Sequence, residues 1–201
     1  MKPMNIILAS QSPRRQELMK RITEDFTICV PDCDESLPTG ISPLCAVRLL
    51  AEKKARAALR MWEDGAHTGE CCIIGADTVV DVDGQILGKP ADAYDAEQML
   101  RLLSGRTNTV HTGLAVLSPL GERITAVSTE VDFYPLTEEE ISRYIATGEP
   151  MDKAGSYGIQ GGAALFIKGI RGDYYNAMGF PVSTLYQLME ELGVGQCGSG
   201  R

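Results

Sequence analysis

Long apolar runs are missing from this sequence. Stretches such as Ile6 to Ala9 and Ala163 to Ile167 are far too short to cross a bilayer. Met1 to Ser12 holds a short apolar run without the longer core and small-residue cleavage site of a secretory signal, so a cytoplasmic protein is expected. Histidine is scarce. His67 and His111 stand apart, and no second pair of ligands accompanies Cys29 and Cys33 at the spacing of a zinc site. The six cysteines, at 29, 33, 45, 71, 72 and 197, include an adjacent pair and no export signal. They read as scattered reduced thiols rather than a disulfide framework. Basic residues are in deficit, 19 Lys and Arg against 27 Asp and Glu, for a net charge of −8. That balance disfavours binding to nucleic-acid polymers, which calls for a basic surface. A small anionic ligand remains open to it, because a pocket can concentrate a few cations and a metal. Internal repeats, low-complexity blocks and the phosphate-loop lysine motif are also absent.

What is present fits a folded chain. With 201 residues, 44% hydrophobic and 23% charged, it is expected to form a single domain over residues 1–194, with a disordered tail at 195–201. A chain of this size buries roughly 70% of its extended surface, so its core needs no disulfide or structural metal. Residues 5–9 read as a buried strand. Ser12 and Pro13 then open a helix, and Ser42 and Pro43 open a longer one. On the latter, Leu44, Val47, Leu50, Ala51, Ala55, Ala58 and Trp62 recur at helical spacing. Residues 72–82 read as a central strand ending in the tight turn Asp83-Gly84, to which Asp81 also belongs. A helix follows over about 93–103, then a hairpin of strands 108–117 and 122–134. Thr137 and Glu140 form a capping box, 163–168 reads as a strand, and a last helix lies between Pro181 and Gly193. The fold class is α/β, with a mixed twisted sheet flanked by helices.

Four places can carry chemistry. In Ser10-Gln11-Ser12-Pro13-Arg14-Arg15 a strand end meets a helix start, where free N–H groups and two guanidiniums suit phosphate oxygens. The plainer reading is an exposed basic turn. Asp77, in Gly75-Ala76-Asp77-Thr78, is a carboxylate in an apolar strand, fit to hold a metal or take a proton from water. Capping a local turn is its alternative role. Lys54, Lys89 (in Gly88-Lys89-Pro90) and Glu35 can each be ligand contacts or solvated surface. The glycine-rich run from Asp152 to Gly162 suits a loop around a polar ligand, with Gln160 able to read a base edge, or a simple turn. No Ser or Cys is expected to stand beside an obvious His base.

In order and spacing, LASQSPRRQEL, AEKKA, GADTVV, LGKP, LSGRT with VHTG, GEPMDKAGSYGIQG and GDYYNAMGFP resemble the Maf-like nucleotide pyrophosphatases, from about Asn5 to Gly193. The DKAGSYGIQG form is similar to the branch acting on dTTP and UTP. The resemblance implies a Maf and inosine triphosphate pyrophosphatase-like architecture. The implied reaction is hydrolysis of a nucleoside triphosphate to monophosphate and diphosphate, by water attack at the α-phosphorus, with a divalent cation (Mg or Mn). Modified pyrimidine nucleotides are further candidate substrates. It makes Asp77 the proton acceptor and, with Glu35, a metal ligand. Arg14, Thr78 and Gln160 take roles in substrate selection, and Ser10, Arg15, Lys54 and Lys89 complete the phosphate site. A homodimer is implied too. Three departures stand out: AEKKA in place of the commoner arginine-containing REKA form, with Lys54 chosen over Lys53 by the alanine that follows it, Asn108 where a histidine is usual, and Phe180 for a usual leucine. The Asn108 change is expected to remove a polar or metal contact, and residues 64–70 to form a longer surface loop. Two rivals are a non-catalytic nucleotide-binding regulator of cell division and a pyrophosphatase for deaminated purine nucleotides.

Overall fold

The computed structural model describes residues 4–65, 67 and 69–194; the tail expected at 195–201 lies outside the described residues. In chain order the elements are β1 (Asn5–Ala9), α1 (Pro13–Met19), β2 (Thr27–Cys29), α2 (Pro43–Asp64), β3 (Cys71–Val82), β4 (Gln85–Leu87), α3 (Ala93–Leu103), β5 (Thr107–Ser118), β6 (Gly121–Phe133), α4 (Glu138–Ala146), β7 (Ile167–Arg171), α5 (Tyr174–Ala177) and α6 (Val182–Glu191). The strands are ordered β2-β1-β3-β5-β6-β7, with β4 added on β3. β1 runs parallel to β2 and β3, whereas β3–β4 and β6–β7 are antiparallel. This is the mixed, open α/β sheet with flanking helices that the sequence predicts.

Local signals explain most boundaries. Ser42 Oγ accepts from Cys45 N, Asp92 Oδ1 accepts from Asp95 N, and Thr137 and Glu140 complete a reciprocal capping box. Asp83 (φ +52°) and Gly84 (φ +85°) make the tight turn from β3 to β4, where Asp81 Oδ1 accepts from Gly84 N. Ser12 occupies the N-cap position of α1, but its side chain makes no capping bond. Instead, Ser10 Oγ accepts from Ser12 N at 3.2 Å. The strand expected at 163–168 is a correction. Gly162–Phe166 is 3₁₀ helical, because burial falls on Ala163 and Phe166, three apart, while Leu165 is 84% exposed. The strand begins only at Ile167. Leu44 is also exposed rather than on the buried face of α2.

The chain divides into two compact units. The first takes the chain through Asp77, then Thr112–Val127 and the stretch from Gly179; the second takes Thr78–His111 and Ser128–Met178. In the first unit, Ala51, Ala55 and Ala58 of α2 pack on Ile7 and Ala9 of β1, Ile73 of β3, and Ala115 and Leu117 of β5. These small side chains let the helix backbone lie directly on the sheet. A Cβ at Gly75 would overlap Ala51 O and stand 2.9 Å from Ala55 N, and one at Gly113 would overlap Val47 O. The second unit is built around aromatic pairs. Phe133 and Tyr157 meet edge to face at 4.8 Å, and Tyr144 and Phe166 at 5.4 Å.

In the segment joining α2 to β3, Gly65, His67, Gly69 and Glu70 are exposed, and His67 stacks on Trp62 at 4.2 Å. The described cysteines form no disulfide. Cys71 and Cys72 open β3, and burial pushes the Cys72 thiol up to about 12.

Two outcomes are expected. Gly75→Ala, which forces α2 off β3, lowers unfolding free energy in urea by about 1–3 kcal/mol; an unchanged midpoint would contradict the packing. In native protein at pH 8, maleimide alkylation followed by peptide mapping should modify the exposed Cys45 and leave Cys72 untouched, since the thiolate is the nucleophile.

Candidate active site

β1 and β3 are parallel neighbours with Ala9 opposite Gly75, so β1 ends level with Gly75 and the turn after it begins where β3 continues into Ala76 and Asp77. Ser10 is buried there. Arg15, on the first turn of α1, donates Nη1 to Ala76 O at 3.0 Å and Nε to Gly179 O at 2.9 Å. Its Nη1 also lies 3.5 Å from Ser10 Oγ. The guanidinium therefore ties the start of α1 to the peptide just before Asp77 and to the bend at Gly179 (φ +95°). Burial lowers the Arg15 pKa and the Asp77 carboxylate works against that shift. Arg14 precedes it in the helix and is half-buried.

Asp77 lies two residues beyond Gly75 on β3, and Lys54 lies between the two alanine positions of α2 that border Gly75. The close approach of helix to strand brings Lys54 Nζ to 2.5 Å from Asp77 Oδ1. The same ammonium is 3.2 Å from Glu35 Oε1. Lys54 and Asp77 are 17% and 12% exposed at the side chain, Glu35 59%. Asp77 is thus a charge-paired interior carboxylate in mid-strand rather than a turn cap. Lys53 points elsewhere, donating to Ser36 O at 3.0 Å.

Glu35 and Asp77 converge on one point now held by an ammonium, and both offer hard oxygen donors. A divalent cation of the magnesium type takes one or two carboxylates and completes its shell with water and phosphate oxygens, so the pair fits such an ion. Among the described residues no cluster of three or more His, Cys, Asp or Glu side chains is placed to hold a metal. A separate concavity of about 290 Å³ beside β2, lined by Ile28, Cys29, Met61 and Trp62 among others, has no lysine, arginine or carboxylate in its lining. It lacks what a polyphosphate needs.

Thr78, Lys89 and Gln160 belong to the second unit. Thr78 follows Asp77 on β3 and is half-buried, whereas Lys89 and Gln160 are exposed. Gly155 N donates to Gly88 O at 2.9 Å, which ties the Lys89 loop to the glycine-rich segment. Gln160 sits in the turn closed by Gly161 N to Gly158 O. Side chains that sequence reasoning did not single out hold this turn. Glu149 accepts from Tyr144 OH and Gly162 N, Tyr144 OH accepts from Gly158 N, and Lys153 Nζ donates to Glu149 O. A side chain at Gly161 would strike the Glu149 carboxylate, and one at Gly158 would strike Lys153. The density of glycine in that run was the available signal.

Two expectations need correcting. Asn108 does not face a site. It is buried, accepts from Tyr157 OH at 2.9 Å and donates to Val131 O at 3.1 Å, so the replacement of a usual histidine is an interior matter. And a serine does stand beside a histidine: Ser128 Oγ is 2.8 Å from His111 Nδ1. The pair comes from two neighbouring strands 17 residues apart, beyond the reach of a local motif search.

A family profile described as Maf-like protein matches residues 5–192. The chain belongs to the Maf-like family. A Geobacillus sp. (strain WCH70) protein named dTTP/UTP pyrophosphatase is 49% identical over 188 residues, covering 94% of this chain and 98% of its own. Proteins of the same name from Agathobacter rectalis and Clostridium acetobutylicum are 48% and 47% identical. They cover 94% and 95% of this Maf-like chain, and 98% and 99% of their own lengths. Among solved structures, the Staphylococcus aureus Ham1 protein aligns with a TM-score of 0.46 at 16% identity, over 64% of this chain and 71% of its own.

Tyr157→Phe leaves the buried Asn108 oxygen without its donor and is expected to lower stability by about 1–3 kcal/mol. Chemical denaturation checks this, and a change below about 0.3 kcal/mol would show that the bond is not needed.

Proposed function

We propose that this Maf-like protein is a nucleoside triphosphate pyrophosphatase that hydrolyses dTTP and UTP to the monophosphate and diphosphate. The observation that carries the reading is the Lys54 ammonium shared by Asp77 and Glu35, beside a guanidinium bonded one residue upstream of Asp77. A triphosphate brings about four negative charges, and a cation already in contact with a carboxylate is poised to exchange that partner for a phosphate oxygen. As Lys54 moves onto the phosphate, Asp77 is left with an oxygen able to take a proton from water. That water attacks the α-phosphorus in line and the diphosphate departs. Arg15 holds the Ala76 carbonyl, and with it the aim of Asp77. A divalent cation between Glu35 and Asp77, magnesium or manganese, would supply charge neutralisation on the departing oxygens. Arg14, Thr78, Lys89 and Gln160 contribute substrate contacts, with Gln160 reading the base edge by donating and accepting. A cytoplasmic homodimer completes the proposal.

Asp77→Asn should fold normally yet lose about 10²–10⁴-fold in kcat, as removal of a general base does. Pyrophosphate release from dTTP, with circular dichroism as the folding control, measures it; near wild-type turnover in a folded variant would refute the role of Asp77. Gln160→Glu should alter relative rates across a panel of dTTP, UTP, dITP and GTP, because one donor becomes an acceptor. An unchanged ranking would remove Gln160 from base recognition.

A further inference from the structure

Apart from the Asp77 cluster, the second unit brings a serine, a histidine and an aspartate into a row, one each from β6, β5 and β3. His111 is 7% exposed. Ser128 is exposed, on the face of β6 opposite Thr129, Val131 and Phe133. Ser128 Oγ lies 2.8 Å from His111 Nδ1, and Asp81 Oδ2 lies 3.6 Å from His111 Nε2. Asp81 is itself anchored, its Oδ1 accepting from Gly84 N at 2.8 Å. The arrangement selects one tautomer. An Nε2–H directed at the Asp81 carboxylate leaves the lone pair on Nδ1, where the Ser128 hydroxyl can donate. Burial lowers the His111 pKa, against the pull of Asp81, which favours the neutral ring that can accept that proton. The buried ring calls for a partner on each nitrogen, and on Nδ1 that partner is a solvent-exposed hydroxyl rather than a backbone group. Nucleotide hydrolysis as proposed above uses none of the three.

We propose that Ser128, His111 and Asp81 form a second, serine-based acyl-transfer site for small activated esters. Ser128 Oγ attacks the ester carbonyl while its proton passes to His111 Nδ1. The Oγ–C bond forms, the C–O bond to the leaving group breaks, and the leaving oxygen takes the proton from His111. Water then attacks the acyl-serine with His111 again as base, releasing the acid and restoring the hydroxyl. Asp81 is a positioning residue, acting through the ring. The 3.6 Å separation is of the looser kind that such groups show before substrate binds.

The test uses the full chain, a fluorophosphonate probe, p-nitrophenyl acetate and peptide mapping by mass spectrometry. The adduct is expected on Ser128, with labelling lost in Ser128→Ala. In His111→Gln it should slow at least about 100-fold, and added imidazole should restore part of the p-nitrophenyl acetate turnover in His111→Ala. Asp81→Asn keeps an oxygen for Gly84 N. It should slow labelling about tenfold and shift the His111 ring ¹⁵N resonances toward the other tautomer. Ser128→Ala should hydrolyse dTTP at the wild-type rate, which separates this site from the nucleotide reaction. Equal labelling of wild type and Ser128→Ala, or an adduct on another residue, overturns the proposal.

Discussion

The contact between the backbone of α2 and Gly75 governs the site. A helix that rests on a strand with no side chain between them must present small residues, and α2 presents Ala51, Ala55 and Ala58. Once the helix is that close, Lys54 has little choice of direction, and its ammonium meets Asp77 in surroundings that exclude most water. An interior carboxylate without that ammonium would be strongly destabilising, whereas the ammonium keeps Glu35 as a second partner when Asp77 is neutralised. Core packing and site electrostatics are therefore one constraint seen from two sides.

The same logic explains how an acidic protein can act on an anion. Net charge describes the surface, whereas binding depends on a few groups held against a desolvated wall. Arg15 shows the division of labour: its Nε and Nη1 hold backbone carbonyls at Gly179 and Ala76, so it organises the backbone from which Asp77 projects. Glu149, Tyr144 and Lys153 do the corresponding work around Gln160, where glycines leave room for the Glu149 carboxylate to reach Gly162 N and the Tyr144 hydroxyl.

Features written locally were legible in the sequence. Pro13, Pro43, the Thr137–Glu140 capping box and the Asp83-Gly84 turn mark boundaries through contacts within a few residues, and the structure keeps them. The apolar run of β3 identified Asp77 as an interior carboxylate. What escaped depends on tertiary contact. β2 and β4 are three residues each, too short for periodicity to register. Ala163 and Phe166 share an apolar stretch that reads as a strand until Tyr144 packs on Phe166. Ser10 replaces Ser12 as the partner of a helix-start amide, and the Ser128–His111 pair exists only because β5 and β6 are neighbours. The interior role of Asn108 escapes a local reading because its partners, Tyr157 and Val131, lie 49 and 23 residues away.

The most direct measurement of the central claim, that the Lys54–Asp77 pair directs water to the α-phosphorus, is hydrolysis of dTTP in H₂¹⁸O with mass analysis of both products. Label in the dTMP is the expected result. Label confined to the diphosphate would place the attack at the β-phosphorus and contradict it.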